Sequence, residues 1–142
     1  MNSFLFSIIF TILCANPNFD TINPQEVMEQ QASDIEYLAQ CIEAEAGNQS
    51  YMGKVYVLDC ILNRMDYYQY DSYSDCINDK GQFACVSNGS IYNMIPSDET
   101  YAIIEQELQS RTDYDIMYFR TAHYHTFGTP KFKCEDHYFS MR

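Results

Sequence analysis

Two glutamates, Glu43 and Glu45, stand two residues apart near the end of a helical pattern. Ile35, Leu38, Ala39 and Ile42 recur at helical spacing. Glu45 falls three residues beyond Ile42 and continues that apolar stripe, whereas Glu43 follows Glu36 and Gln40 along the solvated face. Glu43 is therefore read as a surface charge and Glu45 as an inward acid. On an inner face, at the negative end of a helix, desolvation and the dipole both favour the protonated carboxyl. A general acid facing a glycosidic oxygen needs that proton. Position alone leaves two other readings open: the side chain bends out to solvent, or it pairs with Arg64.

Other residues suited to chemistry lie downstream. Gln82 has the donors and acceptor to meet sugar amides, or to brace its own loop. Phe83, Tyr118 and Tyr138 offer flat apolar faces for pyranose rings, or core packing. His137 is suited to orienting an acid, touching a glycan or serving as a satisfied structural histidine. A zinc reading draws on His123, His125, Cys134 and His137, but these lack an HExxH helix and their spacing is weak for zinc. No metal or other cofactor is expected. A non-enzymatic, cysteine-containing binding module is the remaining alternative.

The chain has 142 residues, 20 acidic against 8 basic, for a formal charge of −12. That length suits one domain, and 46% hydrophobic residues suffice for a core. The acidic balance argues against nucleic acid, whose binding rests on Lys and Arg at phosphates, and against an anionic membrane surface. Phe4 to Cys14 is apolar, with no charge before Asp20. It is too short for a stable membrane span, which takes about 20 helical residues. Residues 1–15 read as a secretory signal cleaved after Ala15, or else as a buried N-terminal strand. The expected location is accordingly outside the cell, at the wall. Six cysteines (14, 41, 60, 76, 85, 134) suit an oxidising compartment or small buried positions. Cys76 and Cys85, flanking a turn-rich segment, form the first candidate bridge.

These residues need elements to hold them. Residues 16–32, polar with two prolines, read as a leader or linker, and the domain is expected over 33–142. Ser33 to Glu36 forms a capping box ahead of the first helix, which Gly47 would stop in the left-handed conformation. A second helix is expected from Tyr51 to Met65, with Val55, Leu58, Ile61, Leu62 and Met65 inward. Tyr67 to Gly89 reads as loops with one short helical turn. Ser97 caps a third helix in which Ile104 and Leu108 face inward. Strands are expected at Ile116 to Phe119, Tyr124 to Phe127 and His137 to Phe139, with a turn at Gly128-Thr129-Pro130. Helices first and a small antiparallel sheet later make an α+β domain.

Several blocks resemble the spore cortex-lytic, SleB-like cell-wall hydrolases. Ala44-Glu45-Ala46-Gly47-Asn48-Gln49, through Gly53 and Val57 to Leu62-Asn63-Arg64, resembles that family's first motif. Gly81-Gln82-Phe83-Ala84-Cys85-Val86, Tyr118-Phe119 and Cys134-Glu135-Asp136-His137-Tyr138-Phe139 resemble its later motifs in order. The resemblance spans about residues 34–139. It implies a small lysozyme-like domain, related to resuscitation-promoting factors and goose-type lysozymes, that cuts peptidoglycan glycan strands. It places the family's catalytic glutamate on Glu45 and implies lytic transglycosylation, with hydrolysis as the alternative. Glycan strands are then the partner, and a monomer is expected. Gln49 departs from a family glutamate, Ala84 from a hydroxyl residue, and Glu135-Asp136 from Gly-Asn. The small size and the FRTAHYHTFGTPKF stretch resemble phage-encoded members.

Overall fold

The architecture comes from a computed structural model, which describes residues 3–14 and 23–142. The expected cleavage point after Ala15 lies outside the described residues. Among the described residues six α-helices precede a three-stranded antiparallel sheet: α1 (Ser3–Cys14), α2 (Pro24–Ala46), α3 (Tyr51–Tyr68), α4 (Tyr73–Asn78), α5 (Ala84–Ser87), α6 (Asp98–Gln109), then β1 (Ile116–Thr121), β2 (Thr129–Cys134) and β3 (His137–Met141). The expected α+β class is what forms.

The apolar segment near the N-terminus is a helix, not a strand. Ile8 and Ile9 of α1 are buried in the main core, and Ser7 Oγ donates to Glu105 Oε1 of α6 at 2.6 Å. Residues 24–32, expected as linker, form the first turns of α2. Asn23 caps that helix by accepting from the Gln25 N–H at 3.1 Å, and Pro24 occupies its first turn, where no N–H is needed. Ser33 and Glu36 thus lie inside the helix. Gly47 ends α2 at φ −61, in right-handed geometry. Its glycine is required for another reason: a Cβ would stand 2.4 Å from the Glu43 carbonyl oxygen.

Ile35, Leu38 and Ile42 of α2 meet Val55, Leu58, Ile61 and Leu62 of α3 in the main core. Ile103 and Ile104 of α6, capped by Ser97, close it. Between Tyr67 and Gly89 there are two short helices, α4 and α5, rather than one turn. The Cys76–Cys85 bridge does not form. Cys41, Cys60, Cys76, Cys85 and Cys134 are all free thiols, and Cys76 Sγ is directed at the Ile61 carbonyl, 4.0 Å away.

The sheet runs β1-β3-β2, with β3 central and β2 at an edge. Phe139 of β3 pairs with Phe119 on one side and Phe132 on the other, and sits in a second core with Ala46, Val57, Cys60 and Ile116. Tyr56 of α3 packs on Phe132 and Phe139, with centroids 4.7 and 5.5 Å away. The middle strand differs from expectation. Tyr124 to Phe127 is a loop, and the strand is the more polar segment beginning at Thr129. His125 explains the loop, since its Nε2 contacts the Phe119 carbonyl at 3.1 Å and folds the segment back over β1. The β2–β3 turn falls at Glu135-Asp136, with Glu135 at φ 49.

Candidate active site

Glu45 is half-buried in the last turn of α2. Its Oε1 accepts a hydrogen bond from the Cys85 backbone N–H at 3.3 Å, in the first turn of α5. The inward reading of Glu45 therefore holds, and the side chain neither frays into solvent nor pairs with Arg64. Arg64 is 5% exposed and lies over the Tyr68 ring, 5.6 Å from its centroid.

Glu43 is not an ordinary surface charge. Its Oε1 accepts from the Ser97 N–H at 3.0 Å, from Ser97 Oγ at 2.8 Å and from Thr100 Oγ1, with Lys54 Nζ 3.5 Å away. Burial alone would raise its pKa, but hydrogen bonds from Thr100 and Ser97, with the Lys54 charge, hold it below the usual glutamate value. Glu43 fastens the start of α6 to the end of α2. Periodicity missed this because the solvated face of α2 is covered by a segment more than fifty residues away.

Phe83 is 5% exposed, and its ring lies 6.1 Å from that of Phe119. Phe119 continues to His137, whose ring is 5.1 Å away and edge-on. His137 is 4% exposed, and its Nδ1 is buried without a partner. Burial lowers the His137 pKa, against the opposing charges of Glu45, Asp136 and Glu135. His137 thus lies within electrostatic reach of Glu45 and remains a neutral imidazole to lower pH than usual.

On the other side of Phe83 and Phe119 opens a cleft of about 360 Å³, walled also by Arg64, Gln82, Tyr118 and His125. Tyr118 meets Phe127 edge-on at 5.0 Å, building one bank. Glu45 does not line this cleft; it connects to the wall through Cys85, two residues after Phe83. The structure therefore gathers Gln82, Phe83 and Tyr118 in the cleft, and Glu45 and His137 beside it. Tyr138 is not brought there. Alternation along β3 turns it to the opposite face, against Tyr124 at 5.0 Å and under Lys133 Nζ at 5.1 Å. Phe119, which links the two groups, was legible only as an aromatic beside Tyr118.

The four zinc candidates do not converge. His123 Nδ1 contacts the Tyr124 carbonyl at 2.8 Å, and His125 is tied to β1. Among the described residues no group of three or more His, Cys, Asp or Glu side chains is placed to hold a metal ion. No helix among them is long and apolar enough to cross a membrane.

Glu135 and Asp136 are both engaged. Glu135 Oε2 accepts from the Ser50 N–H at 2.6 Å, at the start of α3. Asp136 Oδ2 accepts from Gln49 Nε2 at 3.0 Å, and the Asp136 N–H donates back to Gln49 Oε1 at 3.2 Å. Two departures from the motif thus explain each other. With an acid at position 136, an amide at position 49 completes a reciprocal pair that two carboxylates could not make.

A search of curated proteins finds no match. Among solved structures, the catalytic domain of the Bacillus cereus SleB protein superposes with a TM-score of 0.63 at 22% identity, covering 75% of this chain and 88% of that one. The catalytic domain of the germination-specific lytic transglycosylase SleB from Bacillus anthracis also superposes at 0.63, with 20% identity, covering 85% and 98%. The fold is therefore the lysozyme-like fold of these domains. The Cell Wall Hydrolase family profile matches residues 48–140, starting three residues after Glu45. Covering well over half of the sequence, from α3 into β3, that match makes the chain a member of the cell wall hydrolase family.

Proposed function

We propose that the chain cleaves the glycan strands of peptidoglycan as a lytic transglycosylase, with Glu45 as its single acid and base. The observation that carries this reading is the setting of Glu45: a half-buried carboxyl, held by the Cys85 N–H, beside an aromatic-walled cleft. Family membership supplies the wall substrate, and the Bacillus anthracis relative of the same fold is described as a lytic transglycosylase.

Glu45 gives its proton to the glycosidic oxygen as the bond breaks. As a carboxylate it then takes the proton of the sugar's own 6-hydroxyl, which closes onto the anomeric carbon. The nucleophile is already attached to the substrate, so its effective concentration is high and no water need be activated. Hydrolysis would call on a second acid to prepare water. Glu135 and Asp136, the acids nearest in sequence to His137, are committed to the start of α3. Gln82, Phe83 and Tyr118 hold the sugar in the cleft, and neutral His137 keeps the surroundings of Glu45 dry. The substrate lies outside the cytoplasmic membrane, so the chain works there.

Mass spectrometry of peptidoglycan digested by the protein tests the reading. Products ending in 1,6-anhydro-muramic acid are expected, with Glu45→Gln slowing their release by about 100-fold or more. Reducing ends would make the enzyme a hydrolase, and cleaved stem peptides on intact glycan would end the glycosidase reading.

A further inference from the structure

One charged group on the cleft wall has no part in the chemistry above. Arg64 of α3 lines the cleft with Tyr68, Gln82, Phe83 and Tyr118, and among the described residues it is the only lysine or arginine there. It is 5% exposed, and its Nε is buried without an acceptor. A guanidinium keeps its charge at any working pH, and a charge so deeply placed is normally paired. Lys54 shows the usual solution: equally buried, it lies 3.5 Å from Glu43 and 3.1 Å from Glu99. Arg111 likewise meets Asp66 at 2.7 Å. Arg64 enters no ion pair among the described residues. Burial holds the Cys76 thiol protonated, so that neighbour supplies no negative charge. Asp79, the one acid on the cleft wall, is exposed, and its oxygens accept from the Tyr70 hydroxyl and the Lys80 N–H.

We infer that Arg64 receives a carboxylate of the muramyl unit, so that this sugar and not its neutral neighbour seats in the cleft. The inference rests on the glycan-cleaving reading above and names the group that the cleft selects. A peptidoglycan strand alternates uncharged N-acetylglucosamine with N-acetylmuramic acid, whose lactyl arm ends in a carboxyl group. That carboxyl is free where the stem peptide has been removed. Where the peptide remains it is an amide, and the peptide brings carboxylates of its own. Either source offers the paired, coplanar oxygens that a guanidinium fork fits. Phe83 and Tyr118 then meet the pyranose, and Arg64 meets the charge. The selection bears on the chemistry, because the 6-hydroxyl that closes must belong to a muramyl sugar if the product ends in 1,6-anhydro-muramic acid. Long-range attraction does not supply it, since a chain of net charge −12 repels an anionic sugar.

The test is isothermal titration calorimetry of the full chain carrying Glu45→Gln, which leaves the glycan uncut. The probes are tetrasaccharides of alternating N-acetylglucosamine and N-acetylmuramic acid in three forms: lactyl carboxylates free, capped as methylamides, or bearing stem peptides. Neutral chitotetraose is the fourth probe. The free or the peptide-bearing form should bind about 10-fold or more tightly than the methylamide and chitotetraose, and the tighter of the two names the source of the carboxylate. Adding Arg64→Gln should bring all four affinities together. If that buried substitution fails to fold, the probe series on the Glu45→Gln chain still decides. Equal affinity for all four probes there overturns the inference and leaves glycan cleavage standing, as does a carboxylate preference that survives Arg64→Gln. Binding of none of the four removes the glycan reading and the inference with it.

Discussion

Asp59 and Glu107 form a buried acid pair whose shared proton should govern the pH response of the fold. Asp59 of α3 has no exposed surface, and Glu107 of α6 is 2% exposed. Glu107 accepts from the Thr112 N–H at 2.7 Å and from Thr112 Oγ1 at 2.9 Å. Asp59 Oδ2 accepts from the Asp113 N–H at 2.8 Å, while its Oδ1 finds no donor. A proton on Oδ1 directed at Glu107 satisfies that orphan. Burial, then the hydrogen bond and charge of Glu107, push Asp59 from 3.8 up to about 8. The folded chain therefore holds a proton that the unfolded chain releases near pH 4. Stability from this site is fully present below that point and is lost as pH rises towards 8. One proton gives a slope of at most about 1.4 kcal/mol per pH unit, or about 2.7 kcal/mol between pH 5 and pH 7. Asp59→Asn mimics the protonated acid at every pH. Urea denaturation should show the gap in the variant's favour widening by up to about 2.7 kcal/mol between pH 5 and pH 7. The buried His137 tilts both curves the opposite way, so the difference between the two isolates Asp59. Parallel curves across that range would refute the shared proton.

Further outcomes follow from contacts described above. Glu43→Gln should cost about 1–3 kcal/mol at pH 7 by calorimetry. Because folding lowers the Glu43 pKa, its contribution is present above the ordinary glutamate value and fades as pH falls through the folded one, so the gap to the parent closes on acidification. Gln49→Glu should destabilise by setting a carboxylate against Asp136, and adding Asp136→Asn should recover it, a coupling of about 0.5–3 kcal/mol in a double-mutant cycle. Gly128→Ala should lose about 1–3 kcal/mol and weaken glycan binding, because φ is 73 there and a Cβ would lie 2.4 Å from the Met141 carbonyl oxygen.

Helix periodicity made the core legible. Ile35, Leu38 and Ile42 are buried as their spacing requires, and the same stripe carried Glu45 inward. Ser97 announced α6 because a cap with acids behind it is a local signal. What failed depended on distant partners. Glu43 faces outward on its own helix, but α6 arrives to cover it. Tyr124 to Phe127 has strand-forming residues, yet His125 finds a β1 carbonyl and the segment becomes a loop. Ser33 to Glu36 has the letters of a cap, but Asn23-Pro24 starts the helix earlier with equally good chemistry. Within the candidate site, Tyr138 was misplaced because strand alternation fixes its face only once the register against Phe119 and Phe132 is known.

The outer rim of the sheet bears on how the protein behaves when crowded. β2 shows its free margin to water, and along it stand Pro130, Lys131 and Lys133. Proline removes one amide that a foreign strand would need, and the ammonium groups repel an identical neighbour laid alongside. Lys131 is further pinned by Asp113 and Asp115, at 2.8 and 3.1 Å. Sheet-to-sheet polymerisation is thereby disfavoured at high concentration.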